Sequence, residues 1–278
     1  MSLKYFGDGK LSLPLKKISI TFSFPPALEI STPDGDSLVT SMYSKTISRI
    51  KSLFGTFHFS NYKVNNRFEV NIKLDRTGCS CVEEKSHKVH IFQNLKRDNT
   101  ILIENNTFTF LFELDASKEY KGFSSIIDEH EKLFRAFLQY VDVGEISKIS
   151  TSKINHFDLG FCVGNSDICI YLEPYLKPDL TLPFPSTHCK YLKSFRNEVT
   201  LLKDGIETQI ISKVPSEVKN ASTNEDIFTL HLNSSFQEEK PIDASNHLEI
   251  RDKLLLLNKN MNEYFFQCLT DNCKASWR

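Results

Sequence analysis

Three short stretches of this chain hold the residues with the most evident capacity for chemistry. In GCSCVEEKSHKVH (78–90) two thiols, Cys79 and Cys81, are followed by two imidazoles, His87 and His90. Two cysteines and two histidines are an accepted tetrahedral zinc set. The spacing C-x-C-x5-H-x2-H, however, is not that of a zinc finger. Side chains alternate along a strand, so His87 and His90 point to opposite faces and cannot close on one ion. The stretch therefore predicts no metal site. It reads as a hairpin: Gly78 ends one strand, 82–86 form a charged loop, and His87 opens the next strand. In RFEVNIKLD (67–75), Glu69, Asn71 and Lys73 share one strand face, opposite Phe68, Val70, Ile72 and Leu74. A carboxylate and an ammonium in one row could hold a divalent metal and a phosphate. The structural alternative is the solvent-facing side of an amphipathic strand. In NHFDLG (155–160), His156 and Asp158 share a strand face and could form a base and its orienting partner. No G-x-S-x-G elbow supplies a nucleophile for them, so a hydrogen-bonded pair supporting the sheet is the alternative.

The elements that must position these residues are legible from periodicity. Lys17–Phe24 alternates Ile18, Ile20, Phe22 and Phe24 with polar residues, the pattern of a half-buried strand. Pro25-Pro26 and the turn at 33–36 end it. Ser37 can cap a helix with Val39, Met42, Ile47, Ile50 and Phe54 on its apolar side. Lys45, Arg49 and Lys51 with Tyr43 make that helix a candidate phosphate binder; a solvated basic face over core aromatics is the alternative. Strands follow at 67–75, 87–93, 100–104 and 107–114, the last two joined by the turn residues Asn105-Asn106. A helix with the stripe Ile126, His130, Leu133, Phe134, Phe137 and Val141 closes this part.

The second part replays that order. A strand is predicted over 149–161, a short helix over 166–176, and strands over 187–194, 197–203, 207–214 and 227–233. Asn246 with Glu249 forms a capping box for a helix striped by Ile250, Leu254, Leu257, Met261, Phe265 and Leu269. FTFLFEL (108–114) answers FTLHLNS (228–234), and AFLQYV (136–141) answers YFFQCL (264–269). The expected fold class is α+β: two similar β-α-β-β-β-β-α halves, 1–143 and 144–278, as antiparallel sheets with helices on one face. The two halves together make one compact unit with a seam, where ligand sites are favoured.

Bulk composition excludes several classes. Net charge is −1, and 40% of the residues are apolar; that is ordinary globular composition without the basic excess of a nonspecific nucleic-acid binder. The first residues lack an apolar signal-peptide core, and the longest aliphatic run, Leu254–Leu257, is far short of a membrane span. Seven scattered cysteines form no disulfide framework, which points to a reducing cytoplasm. Ten glycines form no P-loop and no G-x-G-x-x-G, so no cofactor is expected.

LNKNMNEYFFQCLTD (257–271) resembles the closing motif of a sporadically distributed family of uncharacterised bacterial proteins of about this length. Leu257, Met261, Phe265, Leu269, Thr270 and Asp271 carry the likeness. NNTFTFLFE (105–113) before Tyr120-Lys121-Gly122, ISTSKINHFD (149–158) and FTLHLN (228–233) extend it over most of the chain. The family often has a His where Asn258 and Asn262 stand here, and this departure removes the helix residues that would otherwise be proposed as ligands or bases. The family's patchy occurrence implies cargo on mobile elements, such as defence or toxin–antitoxin loci. Separately, Glu-x-Asn-x-Lys at 69–73 loosely resembles the Glu-x-Glu-x-Lys strand of triphosphate-tunnel enzymes, although Asn71 loses one carboxylate.

These readings together predict a cytoplasmic, non-catalytic binding or interaction protein. Its partner is another protein or a small ligand, held at the seam or on the outer sheet face; a homodimer is one such arrangement. Glu69, Asn71, Lys73, His156 and Asp158 are the candidate ligand-binding residues. The rival reading is a metal-dependent phosphoryl-handling enzyme that uses Glu69 and Lys73.

Overall fold

The computed structural model describes residues 15–31, 37–75, 78–95, 98–114, 122–158, 195–214, 227–269 and 271. The described residues form a mixed α+β structure with three α-helices, a short 3-10 turn at 28–30 and a nine-stranded antiparallel sheet. The strands are β1 (Leu15–Ser23), β2 (Asn61–Asp75), β3 (Gly78–Gln93), β4 (Asn99–Glu104), β5 (Thr107–Glu113), β6 (Glu145–Asp158), β7 (Phe195–Lys203), β8 (Ile206–Val214) and β9 (Ile227–Asp243). The helices are α1 (Ser37–Thr56), α2 (Phe123–Phe137) and α3 (His247–Cys268). Their order in the sheet is β2-β3-β4-β5-β1-β6-β9-β8-β7. β1 thus pairs with β5 on one side and with β6 on the other, and it joins the N-terminal and C-terminal parts in one continuous sheet.

All three helices lie on one face. Ile18, Ile20 and Phe22 of β1 are buried there, with Phe108 and Phe110 of β5 and Ile101 and Ile103 of β4 beside them. Rings fill the first half of this layer. Phe22 meets Phe134 edge-on at 4.8 Å between centroids, Phe108 lies 5.1 Å from Phe137, and Phe54 of α1 lies 5.0 Å from Phe92 of β3. Offset and edge-to-face aromatic pairs of this kind add about 1 kcal/mol each beyond their area burial. The α2 stripe predicted from sequence is buried throughout, from Ile126 to Val141. α1 is rotated from its prediction. Tyr43 and Thr46 are buried with Ile47, Ile50 and Phe54, while Met42 is largely exposed. Lys45, Arg49 and Lys51 are exposed, and Lys51 lies over the Tyr62 ring at 3.7 Å.

The turns follow local chemistry. Asp204 and Gly205 both take positive φ, 54° and 74°, between β7 and β8; an Asp-Gly pair suits this two-residue hairpin because both positions are left-handed. Asn246 caps α3, accepting from the Glu249 amide while its own amide donates to Glu249 Oε2 at 2.7 Å. Asn246 and Glu249 thus pair as the sequence suggests, but through the asparagine side chain, since the Asn246 backbone N–H donates to the Asp243 carbonyl instead of to Glu249.

Several strand boundaries differ from expectation: β2 begins at Asn61, six residues before its predicted start, and β6 begins at Glu145, four before. β3 begins at Gly78 and runs without a break through 82–86, so the charged segment is strand and not a hairpin loop. Polar residues on both sides of a two-stranded ribbon hide its periodicity, because neither face need be apolar. β9 likewise extends to Asp243, ten residues past its predicted end. The segments predicted at 166–176 and 187–194 lie outside the described residues.

Candidate functional site

The seam between the two parts is the β1–β6 pair with α2 and α3 packed above it. Arg251 of α3 donates to Asp128 of α2 at 2.6 Å and lies 3.6 Å from Glu131. Near the opposite ends of these helices, β6 places Lys153 under α3. Ile149, Thr151, Lys153 and Asn155 share the helix-facing side of the strand, and all four are buried. Lys153 stands opposite Ile18 on one neighbour and Leu232 on the other, both fully buried aliphatic residues. Its amine donates to Asn258 Oδ1 and to Asn262 Oδ1, both at 2.6 Å, and lies 5.4 Å from the centre of the Phe123 ring. The two asparagines are one helical turn apart on α3, which lets both reach the same amine. No carboxylate pairs with Lys153 among the described residues. Burial alone pushes its amine down from the usual lysine range to about 7, because the charged form loses its hydration.

A second polar line continues under α3. Asn260 donates to Thr208 of β8 at 3.1 Å, and Thr208 shares a hydrogen bond with Ser234 of β9 at 2.8 Å. α3 thus adds amide and hydroxyl contacts to its buried aliphatic stripe of Ile250, Leu254, Leu257 and Met261, where α2 meets the sheet mainly through phenylalanines. Among the phenylalanines packed between α2 and the sheet stands His130. It is completely buried, neither ring nitrogen has a partner, and burial holds it neutral with its pKa lowered to about 3. Phe22 meets it edge-on at 4.5 Å.

The histidines of the 78–90 stretch diverge as the strand period requires. His90 faces α1, with Tyr43 Oη 3.0 Å from Nε2 and Tyr62 Oη 2.8 Å from Nδ1. One tyrosine donates and the other accepts, and burial, aided by Lys88 and Lys51, lowers the pKa of this imidazole to about 4. Burial also raises the Tyr62 phenol to about 12. His87 is on the other face, 2.8 Å from Glu104 Oε2; the same carboxylate receives Arg67 at 2.8 and 3.0 Å. The side chains of Cys79 and Cys81 lie outside the described residues.

The predicted binding residues are not brought together along the sheet. Glu69, Asn71 and Lys73 lie on β2 at one edge, in register with Lys85, Glu83 and Ser80, with a bulge after Asn71. Their side chains lie outside the described residues. His156 lies on β6, five strand steps from β2 and hence about 24 Å away measured along the sheet. It is half-buried on the open face, and its pKa is lowered by burial and by Lys16. The Asp158 side chain is likewise outside the described residues. The same open face carries a pair that sequence reading missed: Ser152 of β6 and His231 of β9, 2.6 Å apart.

Lys153 was also missed, although two signals were present. Its strand, ISTSKINHFD, has no clean apolar side, and Asn258 and Asn262 interrupt the apolar stripe of α3 between Leu254 and Phe265.

No family model and no curated protein matches this chain. Among solved structures, the Pct1 RNA triphosphatase of S. pombe aligns over 91% of this chain and 79% of that chain, at 8% identity and a TM-score of 0.13. A TM-score of that size carries no argument about fold or function. Among the described residues, no helix is long and apolar enough to cross a membrane.

Proposed function

We propose that this protein is a non-catalytic binding protein with its ligand site at the seam, where Lys153 meets Asn258, Asn262 and the start of α2. The observation that carries the reading is a buried lysine without a counter-charge among the described residues. Burying an uncompensated amine is costly, and stability alone is better served by an apolar residue there. Such groups concentrate at functional sites.

The internal-repeat reading supports the same location. Outward from β1 the strands run β5, β4, β3, β2, and outward from β6 they run β9, β8, β7, each part followed by its own helix. The offset that aligns AFLQYV with YFFQCL also places His130 on Asn258. Two related halves would then carry polar groups at matching helix positions, the N-terminal one fully buried and the C-terminal one half-buried and bonded to a lysine. The likeness to a family of patchy occurrence suggests a cytoplasmic component of a defence or toxin–antitoxin locus.

The test compares wild type with Asn262→Arg, which replaces a half-buried partner of Lys153 by a larger, charged side chain, after identical purification of the full chain. Native mass spectrometry should find a species retained by wild type and lost by the variant. Identical bound species in both samples would remove the seam from consideration. The rival phosphoryl-handling reading needs manganese-dependent triphosphate hydrolysis that Glu69→Ala and Lys73→Ala abolish.

A further inference from the structure

We propose that the seam site takes an anionic group of its ligand, a carboxylate, sulfate or phosphate ester, between the Lys153 amine, the side-chain amides of Asn258 and Asn262, and the first turn of α2. This rests on the seam being the binding site and adds the chemical class of what it binds.

Three features point the same way. An ammonium has three protons, and Lys153 places two of them on the Asn258 and Asn262 oxygens. The third has no acceptor among the described residues. Next, because both amide oxygens are turned to the amine, each asparagine keeps an NH2 group with no partner among the described residues. Both side chains are half-buried, so these donors stand at the rim rather than in the core. Finally, α2 starts here. Its first residue, Phe123, is the ring beside the Lys153 amine. The residue before it, Gly122, supplies no side-chain cap, and no acidic residue occupies the first turn. The first amides of a helix are unsatisfied donors carrying partial positive charge. Lysine ammonium, amide NH2 and helix N–H groups are all donors, and an anion both accepts from them and complements the positive charge of the amine and the helix end. A cation or an apolar ligand does neither.

Sulfate is the probe, because it remains doubly charged between pH 6 and 8. It is titrated calorimetrically into the full chain at constant ionic strength set with chloride. Saturable binding is expected, about tenfold tighter at pH 6 than at pH 8, since apparent affinity scales with the fraction of chains whose Lys153 is charged. Lys153→Met should abolish it. Asn258→Asp sets a carboxylate against the same amine; it should fold and also lose sulfate, which covers the case of a Lys153→Met chain that does not fold. No saturable binding at pH 6, or undiminished binding by either variant, would overturn the proposal. The failures are separable. If Asn262→Arg sheds a bound species while sulfate shows no saturable binding, the seam stands and its ligand is not anionic there. If sulfate behaves as proposed while Asn262→Arg sheds nothing, the anion site stands and the wider binding reading falls.

Discussion

Lys153 and His130 are both buried bases held below their ordinary pKa, and each makes stability depend on pH in a defined window. For Lys153 the native amine titrates near 7 and an unfolded lysine near 10.5. Between those values the unfolded chain holds a proton that the native chain has released, so stability rises with pH across the window. Below pH 7 both states are charged and the full burial cost is present. Lys153→Met should therefore raise stability at pH 7 by about 2 kcal/mol and flatten the profile from pH 7 to 10, as read from urea unfolding. An unchanged profile would show that the amine is solvated. For His130 the window runs from about 3 to 6.5. The unfolded chain takes up the proton first as pH falls, so native stability declines through that range. His130→Phe removes two unpartnered nitrogens from a cage formed by Phe22, Phe108, Phe110 and Phe134. It should stabilise the fold by about 1 kcal/mol at pH 7 and more at pH 4. A destabilised variant would mean that the ring nitrogens are satisfied by water.

At the scale of elements, α3 is the helix that carries the seam, and it begins at an asparagine N-cap. Asn246→Ala should cost about 1 kcal/mol, the usual worth of such a cap, measurable as a lower urea midpoint with an unchanged slope. A null effect would assign the start of α3 to its packing alone. Legibility also differs by element. α2 and α3 are readable because their apolar stripes recur at helical spacing; the α2 stripe is buried, and α3 buries its stripe except Phe265, which is half-buried, and adds Asn260 and Cys268. β2 is readable over 67–75, but the 82–86 part of β3 is not, since Glu83, Glu84 and Lys85 carry no period-two pattern and the strand there is set by register with 69–71. The rotation of α1 has a similar origin: Tyr43, not Met42, is buried, because its hydroxyl finds His90 on a strand far away in sequence.

For the whole molecule, the seam makes the two parts interdependent. β1 is paired along its length with both β5 and β6, and α2 and α3 join through Arg251. Cutting the chain at 143/144 would expose one edge of β1, one edge of β6 and the apolar flanks of both helices. Fragments 1–143 and 144–278 should each lack a cooperative thermal transition by circular dichroism and regain one when mixed. A cooperative transition in either fragment alone would show that the seam is an interface between self-sufficient domains. The sequence by itself determined the α+β class, the antiparallel sheet, the striped helices, the cap at Asn246 and the divergence of His87 from His90. Those depend on local periodicity, which a single strand or helix carries. Only the tertiary structure decided that one sheet spans both parts, that β2 and β6 stand at its edge and its centre, and that Lys153 lies beneath Asn258 and Asn262. Those residues are more than a hundred positions apart, and no local pattern encodes which strand a helix will cover or which amine its amides will meet.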